Sequence, residues 1–325
     1  MENITESSYL EGIYYNNKNN KDIQYVNCNI KEKFNGRGIL YTNNNKEYDG
    51  EFKNGKYNGK GILYTNKQKE YEGEFKNGEY NGQGILYTNK QKEYEGKFKN
   101  GKFNGKGIYY TSGNIMYKGN FTDGKMNKKG IQYDIDKNIE YKGMFSNNNF
   151  NGKGVLYENE IKIYKGEFKD DKYNGKGILY DINNDIDYKG EFKDGKFSGN
   201  GILYYLNGYI KYRGEFLNNE FNGNGIKYYI NCNKEYQGEF KNNIFNGNGI
   251  LYFINGHKKY KGEFLNNVFD GNGTKYNING SIEYKGEFTG GNYIYWNKLY
   301  EFVKIFKDNL WVWANKFILK KWIRL

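Results

Sequence analysis

The sequence predicts an all-β array of stacked hairpins followed by a C-terminal amphipathic helix. Three observations predict it. First, one string of residues begins at Tyr48, Tyr71, Tyr94, Tyr117, Tyr141, Tyr164, Tyr188, Tyr212, Tyr236 and Tyr260, with starts 23 or 24 residues apart. A blurred copy starts near Tyr25 and a truncated one at Tyr284. A fixed period of this length marks units that bury their apolar faces on their neighbours. Second, each copy carries a pair of Asn, Asp or Gly residues at one offset. Third, apolar and polar residues alternate on either side of that pair. The expected organisation is an irregular segment 1–24, the array 25–295 and the helical segment 296–325.

Each unit opens with a strand. In the copy at Tyr71, Tyr71, Gly73 and Phe75 point one way while Glu72 and Glu74 point the other. Period-two alternation is the mark of a half-buried strand. A turn follows, as in Asn54-Gly55, Asn77-Gly78, Asp123-Gly124, Asp170-Asp171 and Asn242-Asn243. A type I′ turn needs positive φ at both central positions, which these residues tolerate. Each unit is therefore a hairpin.

The return arm reads aromatic, then Asn-Gly-x-Gly, then Ile-Leu-Tyr or a variant, as in Phe245-Asn246-Gly247-Asn248-Gly249-Ile250-Leu251-Tyr252. Glycine inside a strand marks a bulge or a close approach. The expected visitor is an aromatic ring from the adjacent repeat. The fifth position never varies: Phe52, Phe75, Phe98, Phe121, Phe145, Phe168, Phe192, Phe216, Phe240, Phe264 and Phe288. A ladder of identical rings reads as the structural core.

The string Tyr-x-Gly-x-Phe-x-x-Gly with its following Gly-x-Gly resembles the MORN repeat (membrane occupation and recognition nexus). The resemblance covers roughly residues 25 to 291. It implies an elongated, single-layer, twisted antiparallel sheet. Two local departures stand out: Phe at a ring position where the family often has Trp, and Asn or Asp in several turns where the family has Gly.

With 36 Tyr and 22 Phe and little aliphatic content, aromatic rings replace a Leu/Val core. The chain has no proline, which suits uninterrupted strand pairing. Met1 to Ser8 is polar, so no secretory signal is expected, and no run of about 18 apolar residues suggests a spanning helix. Cys28 and Cys232 lie about eight repeats apart, on the order of 75 Å at two strands per repeat, beyond disulfide reach. A reducing, intracellular, cytoplasmic location is expected, peripheral to a membrane or the cytoskeleton.

The net charge is +12, of which residues 297–325 hold seven basic and two acidic side chains. Charges in the array mostly alternate, and a Glu recurs at the fourth position, from Glu51 and Glu74 through Glu287. Such a carboxylate series repels phosphates, so no nucleic-acid partner is expected. No Gly-x-Gly leads into a predicted helix, so the phosphate-cradle reading fails. His257 is the only histidine and sits in a turn. Two distant cysteines and one histidine make no metal site, and nothing supplies a catalytic constellation. No catalytic, cofactor or metal residues are assigned.

The pattern breaks twice. In the Tyr117 copy, Met126 replaces the return-arm aromatic, Lys128 the first Gly and Asn120 the usual Glu. Tolerated drift and a flexible joint both fit. The second break is the tail. Leu299, Phe302, Val303, Phe306, Leu310, Trp313 and Phe317 recur at helical spacing, with Lys304, Lys307, Lys316, Lys320, Lys321 and Arg324 as cations. Three readings stand for it: a cap on the last strand, a helix lying on an anionic membrane, and a contact with another subunit. Trp311, Trp313, Lys316, Lys320, Lys321, Trp322 and Arg324 are the candidate contact residues.

The resemblance implies a non-enzymatic scaffold organising protein assemblies near a membrane or cortical cytoskeleton, with protein partners and homodimers known in the family. Alternative readings are an adaptor binding phospholipid directly, with an anionic phospholipid surface as partner, and a regulatory subunit of a separate enzyme.

Overall fold

The computed structural model describes residues 12–16, 23–27, 34–42 and 45–293. The tail and all seven contact residues assigned to it lie outside them. Two compact units are present, Met1–Lys172 and Tyr173–Leu325. Every described element in both is a strand or a turn.

In the first unit, strands from Gly36–Thr42 to Ile161–Lys169 each pair antiparallel with the next. The sheet begins earlier than the repeat. Gly12–Asn16, inside the segment expected to be irregular, pairs with Gly36–Thr42 on one side and Ile23–Asn27 on the other. In the second unit the same meander runs from Lys172–Tyr180 to Asn292–Tyr293.

Each hairpin tip is the expected turn: Asn54 and Gly55 have φ of 50° and 72°, and Asn242 and Asn243 have 51° and 67°. The tips also tie units together. Asn243 donates its N–H to the carbonyl of Phe221, and its Oδ1 accepts the Phe221 N–H at 2.8 Å. The same pairing joins Asn267 to Phe245. Asn or Asp in place of Gly thus adds a second bond that glycine cannot make.

The period changes at the opposite edge. In 23-residue units the link between hairpins is a two-residue turn, such as Asn66-Lys67 with φ of 52° and 63°. In the 24-residue units from Tyr164 on it is a five-residue loop, such as Tyr205–Tyr209, closed by Tyr205 N–H to the Tyr209 carbonyl at 2.8 Å, while the Tyr117 copy has a four-residue turn, 135–138, between the paired Asp134 and Ile139. The extra residue lies in that loop and not in the hairpin.

Tyr and Phe of the first arm form the core. Ten tyrosines, Tyr48 through Tyr260 at the first position, are fully buried, and every fifth-position Phe is at most 4% exposed. Tyr212 shows how one sheet achieves this. Its ring stacks on Phe221 at 3.9 Å and meets Phe216 and the next unit's Phe240 edge-on at 5.0 and 5.2 Å. In the first unit Tyr71 repeats the arrangement with Tyr80, Phe75 and Phe98. Such offset and edge contacts contribute about 0.5–1.5 kcal/mol each beyond burial.

One expectation is corrected. The ring over the strand glycines comes from the same hairpin, not from the adjacent repeat. A Cβ on Gly214 or Gly225 would collide with Tyr212 itself. The reason is geometric: Gly214 lies two residues along the strand from Tyr212, on the same face, and Gly225 pairs with it across the hairpin.

The Tyr117 unit is weaker on three counts. Met126 stands where the stacking ring belongs, so Tyr117 keeps only edge contacts with Phe121 and Phe145. Lys128 holds φ of 58° where other units have glycine, which costs roughly 1–2 kcal/mol. Gln132 replaces the core-facing Leu, and its buried Oε1 has no partner. Hydrogen exchange is expected to open first between Tyr117 and Tyr141. The combination Met126→Phe, Lys128→Gly and Gln132→Leu should raise the stability of the first unit by about 2–4 kcal/mol. Exchange that already matches the flanking units would reduce the irregularity to sequence drift.

Candidate interaction surface

The fourth-position carboxylates turn out to be structural. Between Gly214↔Gly225 and Phe216↔Phe221 the return arm carries extra residues opposite Glu215, forming a bulge. Gly223 reaches it with φ of 59°. The Glu215 carboxylate covers the bulge and accepts the Asn224 N–H at 3.0 Å. Glu51, Glu74, Glu239 and Glu263 accept the equivalent N–H. A backbone donor left exposed by the bulge is thereby satisfied. In the first unit Lys97, Asn120 and Met144 interrupt the series, and Asn120 instead donates Nδ2–H to the Lys129 carbonyl at 2.9 Å.

Another carboxylate, in the first-arm strand immediately before the first-position Tyr, reaches the core face. Glu47 accepts the Tyr57 hydroxyl at 2.5 Å, and Glu70 accepts that of Tyr80 at 2.7 Å. Burial first, and then the Glu47 carboxylate, push the Tyr57 pKa above the ordinary tyrosine range.

The face opposite the ring ladder carries a row that the sequence reading did not single out. Its members are the second residue of each first arm and the Ile that pairs with it, for example Ile226 opposite both Arg213 and Gln237. In the first unit the second position is Asp49, Glu72 and Glu95, then Lys118, Lys142 and Lys165. The three acids pair with Lys46, Lys69 and Lys92 at 2.6–2.9 Å. In the Tyr117 and Tyr141 copies cations take the second position and the place of the pairing lysine goes to Ile115 and Ile139. In the second unit the row is Lys189, Arg213, Gln237, Lys261 and Lys285, all exposed. Reading every twenty-third or twenty-fourth residue would have found it. Half-exposed Tyr204, Tyr228, Tyr252 and Tyr276 stand on the same face.

His257 is exposed, and its Nδ1 lies 2.9 Å from the Ile278 carbonyl, so it ties two loops together. Cys232 is free and exposed. Among the described residues no three His, Cys, Asp or Glu side chains gather as a metal site.

The family that matches the sequence is described as the MORN repeat. Nine segments match, covering more than half of the chain: residues 48–68, 71–91, 94–115, 141–159, 164–186, 188–208, 212–231, 236–258 and 260–282. The interval 116–140, which holds the weakened unit, falls between matches. No curated protein matches the chain.

Proposed function

The chain belongs to the MORN repeat family, a repeat module and not a catalytic one, and from that premise we propose a scaffold that binds protein partners along the charged face. The observation that carries this is the row in which a Tyr, an Ile and a charged residue recur in most units. A partner meeting such a row gains the same contact several times, which favours extended, multipoint binding over capture in one pocket. The placement near a membrane or cortical cytoskeleton is part of this proposal and rests on the family alone.

A second reading has its own support. Exposed Lys189, Arg213, Lys261 and Lys285 on one face suit an anionic phospholipid surface, where each cation contributes about 1 kcal/mol.

Reversing Lys189, Arg213, Lys261 and Lys285 to Glu separates the two. The sites are exposed, so folding should change little. For a scaffold, proximity labelling in the native cell should lose a discrete set of protein neighbours, while flotation with phosphatidylserine vesicles stays negligible before and after. Flotation of the unaltered chain that the reversal abolishes would favour the lipid adaptor. Unchanged labelling would remove this face from the proposal.

A further inference from the structure

Apart from Met1, every methionine in the chain lies between residues 116 and 144: Met116, Met126 and Met144. Each fills a slot that neighbouring copies give to one other chemistry. Met116 takes the place just before the first-position Tyr. Glu70 and Glu93 hold that place in the two preceding copies and accept the hydroxyls of Thr65 and Thr88. Thr111 donates instead to the Met116 Sδ at 3.3 Å. Met144 takes the fourth position, where Glu51 and Glu74 accept a bulge N–H. It stands over the bulge glycine, Gly152: a Cβ there would meet the Met144 Cβ at 3.2 Å. Met126 takes the place of the stacking ring. In four other copies of the first unit a Tyr or Phe in that slot lies 3.8–4.0 Å from the first-position Tyr.

The three slots respond differently to one reaction. A thioether sulfur attacks an oxygen of a peroxide: the O–O bond breaks, an S–O bond forms, and hydrogen peroxide leaves as water. The sulfur is oxidised to a polar sulfoxide and the peroxide is reduced. The new oxygen follows the sulfur as a Glu Oε follows Cδ, at the same remove from Cβ. At Met116 and Met144 oxidation therefore supplies the acceptor that copies with Glu already have. At Met126 it sets a polar group in the slot over Tyr117, which is fully buried. A sulfoxide shut away from water without a partner disfavours the closed arrangement.

We propose that Met126 is an oxidation site for peroxides, and that its sulfoxide opens the first unit between Tyr117 and Tyr141. Met116 and Met144 are 38 and 39% exposed and react first, without harm. Met126 is half-buried. Its unit is already the weakest, so peroxide gains access through local opening and the sulfoxide then holds that opening. The effect reaches the next hairpin as well. Met126 donates its N–H to Asn148 Oδ1 at 2.7 Å, and its carbonyl accepts the Asn148 N–H at 3.0 Å. The opening follows from the unit's own packing, whatever the array binds.

The test treats the full chain with hydrogen peroxide and follows sulfoxides by peptide mass spectrometry and amide exchange in parallel. Sulfoxide should appear at Met116 and Met144 first and at Met126 later. Exchange between Tyr117 and Tyr141 should rise about tenfold or more, in step with Met126 alone. Methionine sulfoxide reductases should reverse it. Two variants assign the effect, with Leu as an unoxidisable side chain of similar volume. In Met126→Leu the same peroxide should leave exchange in the interval unchanged. With Met116→Leu and Met144→Leu together, the interval should still open. Opening that persists in Met126→Leu overturns the proposal, and so does a chain oxidised at Met126 whose exchange stays flat. Met126 left intact while Met116 and Met144 are fully converted overturns it as well. Should Met126→Leu fold poorly, the unaltered chain still decides, because its time course sets opening against the sulfoxide at each methionine.

Discussion

Raising the pH above about 10 is expected to unfold both units cooperatively. The buried first-position tyrosines cause it. Burial, the largest contribution, raises the pKa of Tyr117 and Tyr260 to about 12. It drives Tyr48, Tyr71, Tyr94, Tyr141, Tyr188, Tyr212 and Tyr236 higher still. The folded-state pKa is thus above the unfolded value. The stabilisation is complete below about pH 10 and is lost as pH climbs from there through 12, because only the unfolded chain gives up the protons. Each such ring contributes a slope of about 1.4 kcal/mol per pH unit. Five of these rings lie in the first unit and four in the second. Even at half that slope, a domain stability of about 5–15 kcal/mol is exhausted within a few units. Far-UV dichroism followed against pH should therefore collapse in one steep step, with a simultaneous step in tyrosinate absorbance above the contribution of the surface tyrosines. Complete tyrosinate absorbance with the strand signal intact would mean that the first-position rings are open to water.

Gly225→Ala should be among the most destabilising single changes in the second unit. Its Cβ would lie 2.5 Å from Tyr212 Cζ, and Tyr212 is fully buried and cannot swing away. Overpacking in a closed core costs about 1–3 kcal/mol and more when nothing yields, so a loss on the order of 3–5 kcal/mol is expected. Gly208→Ala is the control. It has φ of 79° but open space around the added carbon, so only the backbone cost of about 1–2 kcal/mol applies. The two costs also separate in a double-mutant cycle. With Tyr212→Ala present, the clash has no partner and Gly225→Ala should add little. Denaturant melts of the four chains test this. Additive losses would show that the glycine is required for some reason other than the ring above it.

The strand, the turn and the invariant ring were legible in the sequence because each is local. Alternation places Tyr212 and Phe216 on one face, and an Asn-Asn or Asn-Gly pair specifies a turn with positive φ whatever surrounds it. The Phe ladder from Phe52 to Phe288 followed from repetition, and the structure buries all of it. What a side chain touches across strands was not legible. The bulge opposite Glu215 shifts the register, so a recurring Glu that read only as a phosphate-repelling series caps a backbone N–H. The same register puts Tyr212 over its own hairpin's glycines. It also brings Asn243 to Phe221, 22 residues earlier in the chain. The second-position charges form a row only when units stack. The sequence by itself determined the repeating hairpin and its aromatic core, because propensity and period act within one unit. The tertiary structure alone decided which carboxylates are structural and which residues line a surface, because those neighbours are set by register between strands distant in the chain.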